Sequence, residues 1–201
     1  MSIGAALTLV GCYEPGVDRD ALRDALEPPI GLFDDGSVAT DARPTDGGVG
    51  AVDAAPGCTV SALTGLRVVV RTTALGGRYA PRNIGAIWIE TAAGQYVKTV
   101  KRWANRRRQY LSGYMAASGG DLTDAISGAT LSSHITHDVT WNLTDRNHCE
   151  VPAGNYRVAI EMTDGNMTGV SVRLPFTKGT TGNVSMPAET AQFHDLRLEL
   201  H

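Results

Sequence analysis

The sequence predicts an all-β domain, a β-sandwich with one short helical insertion, preceded by a disordered N-terminal tether. Three features indicate this: segments of alternating apolar and polar residues, Gly-rich turns between them, and an acidic stretch near the N-terminus. The chain has 201 residues and 42% hydrophobic content, which suffices for one sizeable domain plus an extension. It contains no run of 18 apolar residues, so we expect no transmembrane helix.

Short strands account for most of the predicted domain. Seven segments show the alternation expected of half-buried strands. They are residues 66–73, 84–91, 96–103, 134–141, 155–163, 170–176 and 193–200. Many short strands separated by Gly-rich turns argue for antiparallel sheets packed as a sandwich. Ala104–Ser118 instead spaces its apolar residues three or four apart, so we expect a helical excursion from one edge of the sandwich.

Charge divides the chain unevenly. Residues 13–57 carry ten acidic and three basic residues, a net charge of −7, whereas residues 58–201 carry 15 basic and 11 acidic residues, or +4. From residue 34 to residue 57 almost every side chain is small or polar. Such a composition cannot bury enough apolar surface to offset the entropy of ordering. We therefore expect a disordered acidic spacer.

The N-terminus resembles an export signal. Residues 1–11 are mostly small and apolar, and Leu9-Val10-Gly11-Cys12 resembles the bacterial lipobox, in which small residues precede a lipidated Cys. The resemblance implies a signal peptide at 1–11, a lipidated Cys12 with its spacer to residue 57, and a β-sandwich domain at 58–201. The protein would then be extracytoplasmic and held at the bacterial membrane by its lipid anchor. A buried N-terminal strand with a chance cysteine is the alternative, since no basic residue precedes the apolar run.

With Cys12 lipidated, Cys58 and Cys149 form an even pair. An even pair outside the cytoplasm suggests one disulfide. Closing so long a loop would stabilise the domain by roughly 4 kcal/mol in the chain-entropy model. Two unrelated buried thiols are the alternative.

Two longer patterns resemble known families. Trp141-x-Leu-x-Asp, continued by VPAGNYRV at residues 151–158, resembles the hairpin of the immunoglobulin-like domain of flagellar hook-capping proteins. This resemblance implies an immunoglobulin-like sandwich. The run from residue 82 to residue 200 includes IWIE at 87–90 and SGAT at 127–130. It resembles an uncharacterised family of predicted periplasmic proteins that is often found near flavin transferases.

One motif carries cofactor chemistry. Residues 124–130 read DAISGAT, which resembles the acceptor sequence of FMN-binding electron-transfer domains. In those domains an extracytoplasmic flavin transferase joins FMN to the Thr hydroxyl through a phosphoester. The resemblance implies Thr130 as acceptor, with Ser127, Gly128 and Asp124 as its cofactor-binding neighbours. Small residues would leave the hydroxyl uncovered, and the Asp would help to hold a metal used in the transfer. A tight Ser-Gly turn leading into the next strand is the alternative, because Leu131 follows where Ser or Thr is usual.

Basic residues cluster within the third predicted strand and just after it. The six are Lys98, Lys101, Arg102, Arg106, Arg107 and Arg108. They could form a docking face for an acidic partner, lipid headgroups or a flavin phosphate, or simply a solvated surface. A nucleic-acid partner is not expected, because the domain is only mildly basic. His134 and His137 are three residues apart, so on a strand they would point to opposite faces and could not share a metal ion.

Two functional hypotheses follow. The first is a non-enzymatic binding or interaction module, because the chain contains no P-loop, GxSxG, HExxH or paired CxxC motif. The second is an extracytoplasmic redox carrier or accessory with FMN on Thr130, working with a flavin transferase or an envelope redox protein. A hydrolase site built from Asp124, Asp138 and His137 ranks third, since nothing in their spacing demands it.

Overall fold

The computed structural model describes residues 62–201, in which nine β-strands form two sheets. The strands are β1 (Leu66–Thr72), β2 (Ile84–Thr91), β3 (Tyr96–Trp103), β4 (Ile126–Gly128), β5 (Thr136–Trp141), β6 (Gly154–Thr163), β7 (Val170–Lys178), β8 (Asn183–Ser185) and β9 (Phe193–Leu200). One helix, α1 (Ser112–Ser118), follows a 3₁₀ turn at Arg108–Tyr110. The all-β fold class with one short helix is therefore confirmed. The predicted signal segment, Cys12, the spacer and Cys58 lie outside the described residues.

The sheets have the strand orders β5-β1-β9-β8 and β4-β3-β2-β6-β7. All pairings are antiparallel except that of β4 with β3, which is parallel, so the expectation of purely antiparallel sheets was wrong at this edge. The seven predicted strands are all present. The sequence did not predict β4 and β8, because three residues are too few to show an alternating pattern.

The main core lies between the two sheets. Alternation along β1 buries Leu66, Val68 and Val70, each at most 1% exposed, against apolar residues of β2, β6 and β9. Trp141 of β5 contributes an aromatic contact to Tyr156 of β6, with ring centroids 6.3 Å apart. Burying each such side chain stabilises the fold by roughly 1.5–3 kcal/mol. The face of each strand that carries the alternating apolar residues therefore packs against the other sheet.

A second apolar cluster lies on the outer face of the five-stranded sheet, under α1. Trp88 of β2 meets Tyr114 of α1 edge-on, with ring centroids 5.6 Å apart. The carboxylate of Glu161 accepts hydrogen bonds from the backbone N–H groups of Gly113 (3.2 Å) and Tyr114 (2.7 Å), which satisfies the start of the helix. The helix ends at Gly119, whose left-handed φ of 60° favours glycine. It is shorter than the predicted 104–118.

The motif from Trp141 to Val158 is a connection between sheets rather than a hairpin. It joins β5 of one sheet to β6 of the other, so the two strands do not pair. The expected hairpin was wrong because Trp141 and Tyr156 face each other across the core. The Tyr156 hydroxyl donates to the carbonyl oxygen of Pro152 at 2.8 Å, the tyrosine-corner contact known from immunoglobulin-like sandwiches.

Among the helices of residues 62–201, none has the length and apolar character needed to cross a bilayer.

Candidate functional site

The motif predicted to carry a cofactor lies on an exposed edge of the five-stranded sheet. We call Ser127–Thr130 the SGAT loop. Its first three residues are exposed and Thr130 is half-buried, while Ile126 just before it is 54% exposed. A Cβ atom added to Gly128 would meet no heavy atom of residues 62–201 within 4 Å. The loop is therefore open to a large protein approaching from solvent.

A buried asparagine holds the end of the SGAT loop in place. Asn83 and Leu131 exchange two backbone hydrogen bonds of 3.0 Å, an isolated antiparallel bridge. The fully buried Asn83 side chain donates to the carbonyl oxygens of Pro81 and Ser133, each at 3.1 Å. Its Oδ1 accepts from the indole N–H of Trp103 at 2.9 Å. Leu131 is thus tied to the sheet, and the half-buried Thr130 immediately precedes this fixed position.

Asp124 lies before β4, whereas Thr130 follows it, so the strand separates the two. Its Oδ2 accepts a hydrogen bond from Lys98 Nζ at 3.3 Å and lies 2.8 Å from His148 Nδ1. Asp124 also lines a cavity of about 190 Å³ between β3 and β5, together with Ile126. Among residues 62–201, no group of three or more His, Cys, Asp or Glu side chains could hold a metal ion. Asp124 thus lies within ion-pair distance of both Lys98 and His148.

The six clustered basic residues do not share one surface. Two register shifts in the pairing of β3 with β2 place Lys98 opposite Ile89 and Lys101 opposite Ile87, so both lysines lie on the side of the main core. Lys98 is 3% exposed, and partial burial lowers the pKa of Lys101. Arg102 lies opposite Ala86 on the other face and is 8% exposed. Only Arg106 and Arg108 are exposed, while Arg107 is half-buried.

Arg107 belongs to a cluster of arginines around one tyrosine, which we call the Tyr79 cluster (Arg78, Tyr79, Arg82 and Arg107). The guanidinium carbon of Arg107 lies 4.0 Å from the Tyr79 ring centroid, with those of Arg78 and Arg82 at 5.6 and 5.8 Å. Burial, the largest cause, and the positive charge of Arg82 both lower the pKa of Arg107. Sequence reasoning named Arg107 as a candidate for a docking face but missed Arg78, Arg82 and their grouping around Tyr79. The segment RYAPR at 78–82 was the available signal, since it sets two arginines beside one tyrosine.

The two neighbouring histidines do not obey the strand alternation assumed for them. His134 precedes β5, which begins at Thr136, so the alternating rule does not apply to it. His137 points into the main core, where its ring stacks on Trp103 with centroids 4.0 Å apart. Within the described part of the chain, neither ring nitrogen of His137 has a hydrogen-bond partner, nor does Nε2 of His134. Burial is the main reason that the pKa of His137 falls to about 3, and His134 contributes by repulsion. Asp138 of the candidate hydrolase set lies on the opposite, exposed face and pairs with Arg67.

Cys149 lies half-buried in the connection between β5 and β6. Its backbone N–H donates to Asp145 Oδ1 at 3.0 Å, and its carbonyl oxygen accepts from the Asp145 N–H at 2.8 Å. This tight turn fixes the position of the cysteine on the sandwich. Its expected partner Cys58 lies outside the described residues, so the disulfide stays a prediction.

Comparison with known proteins gives one match. The family described as "Predicted periplasmic protein (DUF2271)" matches residues 70–192, which is more than half of the chain and includes the SGAT loop and the Tyr79 cluster. No curated protein and no solved structure matches the chain significantly.

Proposed function

Because the chain belongs to the DUF2271 family of predicted periplasmic proteins, we propose that it is a lipid-anchored extracytoplasmic carrier of FMN, with the cofactor bound covalently to Thr130. The observation that carries the proposal is the geometry of the SGAT loop. Its small residues are exposed, whereas the bridge at its end ties it to a buried asparagine. A large enzyme could approach over the exposed small residues, while the bridge keeps the backbone next to Thr130 in a fixed position.

The residues around the loop fit a covalently held flavin nucleotide. Thr130 would hold FMN through a phosphoester that forms when the transferase moves FMN from a flavin dinucleotide to the hydroxyl and releases the nucleoside monophosphate. Among the described residues, nothing fills the space at Gly128. The isoalloxazine ring supplies the redox chemistry when it is bound, and the protein supplies position and electrostatics. A covalent bond also solves a physical problem, because a free flavin outside the cytoplasm would diffuse away.

The test is co-expression with a flavin transferase, followed by intact-mass measurement and in-gel flavin fluorescence. The wild-type chain should gain the mass of one FMN less one water and become fluorescent. Thr130→Ala should abolish both signals, and Thr136→Ala, which removes an exposed threonine of β5, should keep them. An unmodified wild-type chain under these conditions would exclude the carrier function.

A binding or interaction module without cofactor is the second candidate. The edge strand β8 favours it, because Val184 is 60% exposed and the nearby Met186 is 73% exposed. Edge strands with exposed apolar side chains are sites for pairing with other chains. Crosslinking in the cell envelope separates the two functions: a pure interaction module keeps its crosslinks in Thr130→Ala and loses them in Val184→Lys.

Lipid anchoring and the disulfide complete the proposal, and each has its own test. Cys12→Ser should abolish metabolic labelling with an alkynyl fatty acid and release the protein from the membrane fraction. The Cys58–Cys149 disulfide should appear as a mass increase of two alkyl groups only after reduction and alkylation. Labelling that persists in Cys12→Ser would contradict the anchor, and alkylation without reduction would contradict the disulfide.

A further inference from the structure

We propose that Arg82 and Arg107 of the Tyr79 cluster form a binding site for a phosphate group. We infer further that the ligand is the phosphate of FMN joined to Thr130, and this second part rests on the proposed function. Neither arginine was identified from the acceptor motif, because they come from two other loops of the sandwich.

The bridge between Asn83 and Leu131 brings Arg82 close to the acceptor residue. In an antiparallel pair, residues one step away from the paired positions lie together on the opposite side of the two chains. Arg82 precedes Asn83 and Thr130 precedes Leu131, so they are diagonal neighbours on the same side. Diagonal neighbours have Cβ atoms roughly 7–8 Å apart, which a long side chain can span. Arg82 is therefore placed to reach a group attached to Thr130.

Two arginines of the cluster form no ion pair within the described part of the chain. Neither Arg82 nor Arg107 makes a salt bridge with a carboxylate of residues 62–201, whereas Arg67 and Arg71 on the other sheet both do. Asp164, whose charge raises the pKa of Arg107, already accepts two backbone hydrogen bonds, from the N–H groups of Leu75 (2.8 Å) and Gly77 (3.0 Å).

The Tyr79 ring holds the two arginines in place, and Arg107 retains hydrogen-bond donors that no described residue uses. Tyr79 supports both guanidinium groups through its ring, and its hydroxyl accepts a hydrogen bond from Asn166 Nδ2 at 2.9 Å. Among residues 62–201, Arg107 makes only a weak hydrogen bond of 3.4 Å to the Gly165 carbonyl oxygen, and its buried Nε has no partner. Both guanidinium groups lie against the same tyrosine ring, and a phosphate accepts paired hydrogen bonds from arginine.

The experiment compares FMN-loaded wild type with Arg82→Gln, which removes one exposed charge, and with Arg107→Gln. Arg197→Gln on β9 is the control, because it removes an exposed arginine from the other sheet. Circular dichroism and thermal unfolding verify folding. We expect a phosphodiesterase to release FMN about tenfold faster from Arg82→Gln, because a charge-assisted hydrogen bond to the phosphate is lost. The control should match wild type.

The outcomes separate this inference from the proposed function. Equal release rates in a well-folded Arg82→Gln and wild type overturn the inference and leave the FMN carrier intact. If the wild-type chain takes up no FMN, the proposed function fails. Titration of the unmodified protein with inorganic phosphate then tests whether Arg82 and Arg107 bind a phosphate group. Phosphate binding that Arg82→Gln weakens about tenfold supports the site, and absence of binding to wild type overturns it.

Discussion

His137 should make the folded domain lose stability as the pH falls from 7 to 5. Its imidazole is fully buried, stacks on Trp103, and has no hydrogen-bond partner at either nitrogen. Burial, followed by the positive charges of Lys101 and His134, lowers its pKa to about 3. Burial also lowers the pKa of His134, which Asp164 opposes.

The direction and size of this stability change follow from the pKa of His137 in the unfolded and in the folded chain. The unfolded chain takes up the proton below about pH 6.5, whereas the folded protein takes it up only near pH 3. Stability from this residue is therefore complete above pH 6.5 and is lost progressively as the pH falls from 6.5 towards 3. Each pH unit in this window costs about 1.4 kcal/mol, so His137 alone should cost about 2 kcal/mol between pH 7 and pH 5.

Urea unfolding at pH 7 and pH 5 measures this loss in wild type and in His137→Phe. Phenylalanine keeps a ring against Trp103 but cannot be protonated. We expect the wild-type free energy of unfolding to fall by about 2 kcal/mol more than that of the variant, because carboxylate contributions cancel in the comparison. His201→Phe removes an exposed imidazole and should retain the wild-type difference. Equal losses in wild type and His137→Phe would refute the reasoning.

Four further variants test single contacts of the fold by urea unfolding at neutral pH. Gly85→Ala should cost about 1–3 kcal/mol, because its Cβ would lie 2.2 Å from Cζ2 of Trp103; full wild-type stability would contradict this contact. Glu161→Gln should cost about 1–2 kcal/mol by weakening the two hydrogen bonds at the start of α1, and an unchanged midpoint would disprove the capping role. Lys178→Met should lower the free energy of unfolding by about 3 kcal/mol, because it removes the cationic partner of the Glu150 carboxylate, which is only 12% exposed. Lys98→Met should lower it by less than about 1 kcal/mol, because the carboxylate of Asp124 is 49% exposed and water can solvate it; equal losses would contradict this difference.

Much of the fold could be predicted because strands with one face in the core leave a period of two in the sequence. The strand β1 shows this plainly, and β2 and β3 were predicted with the bounds that the structure has. The three-residue β4 left no such pattern, since all its residues are exposed. Its parallel pairing with β3 depends on the path of the preceding loop rather than on any local preference.

The candidate site was predictable only in part. The SGAT loop carries its own signature in consecutive residues, so it was found directly. Lys98 and Lys101 are three residues apart and would lie on opposite faces of a regular strand. Register shifts in β3 instead bring both to the core side, which no count along the sequence reveals. Arg82 and Arg107 lie 25 residues apart, and only folding brings both to Tyr79.

The sequence by itself determined the all-β class, most strand bounds, and the composition of the SGAT loop, because each depends on residues close together in the chain. Tertiary structure decided which strands join which sheet, how the basic residues separate, and which arginines meet at Tyr79. These depend on the register between distant strands, and burial of the complete apolar surface selects that register only when both sheets assemble.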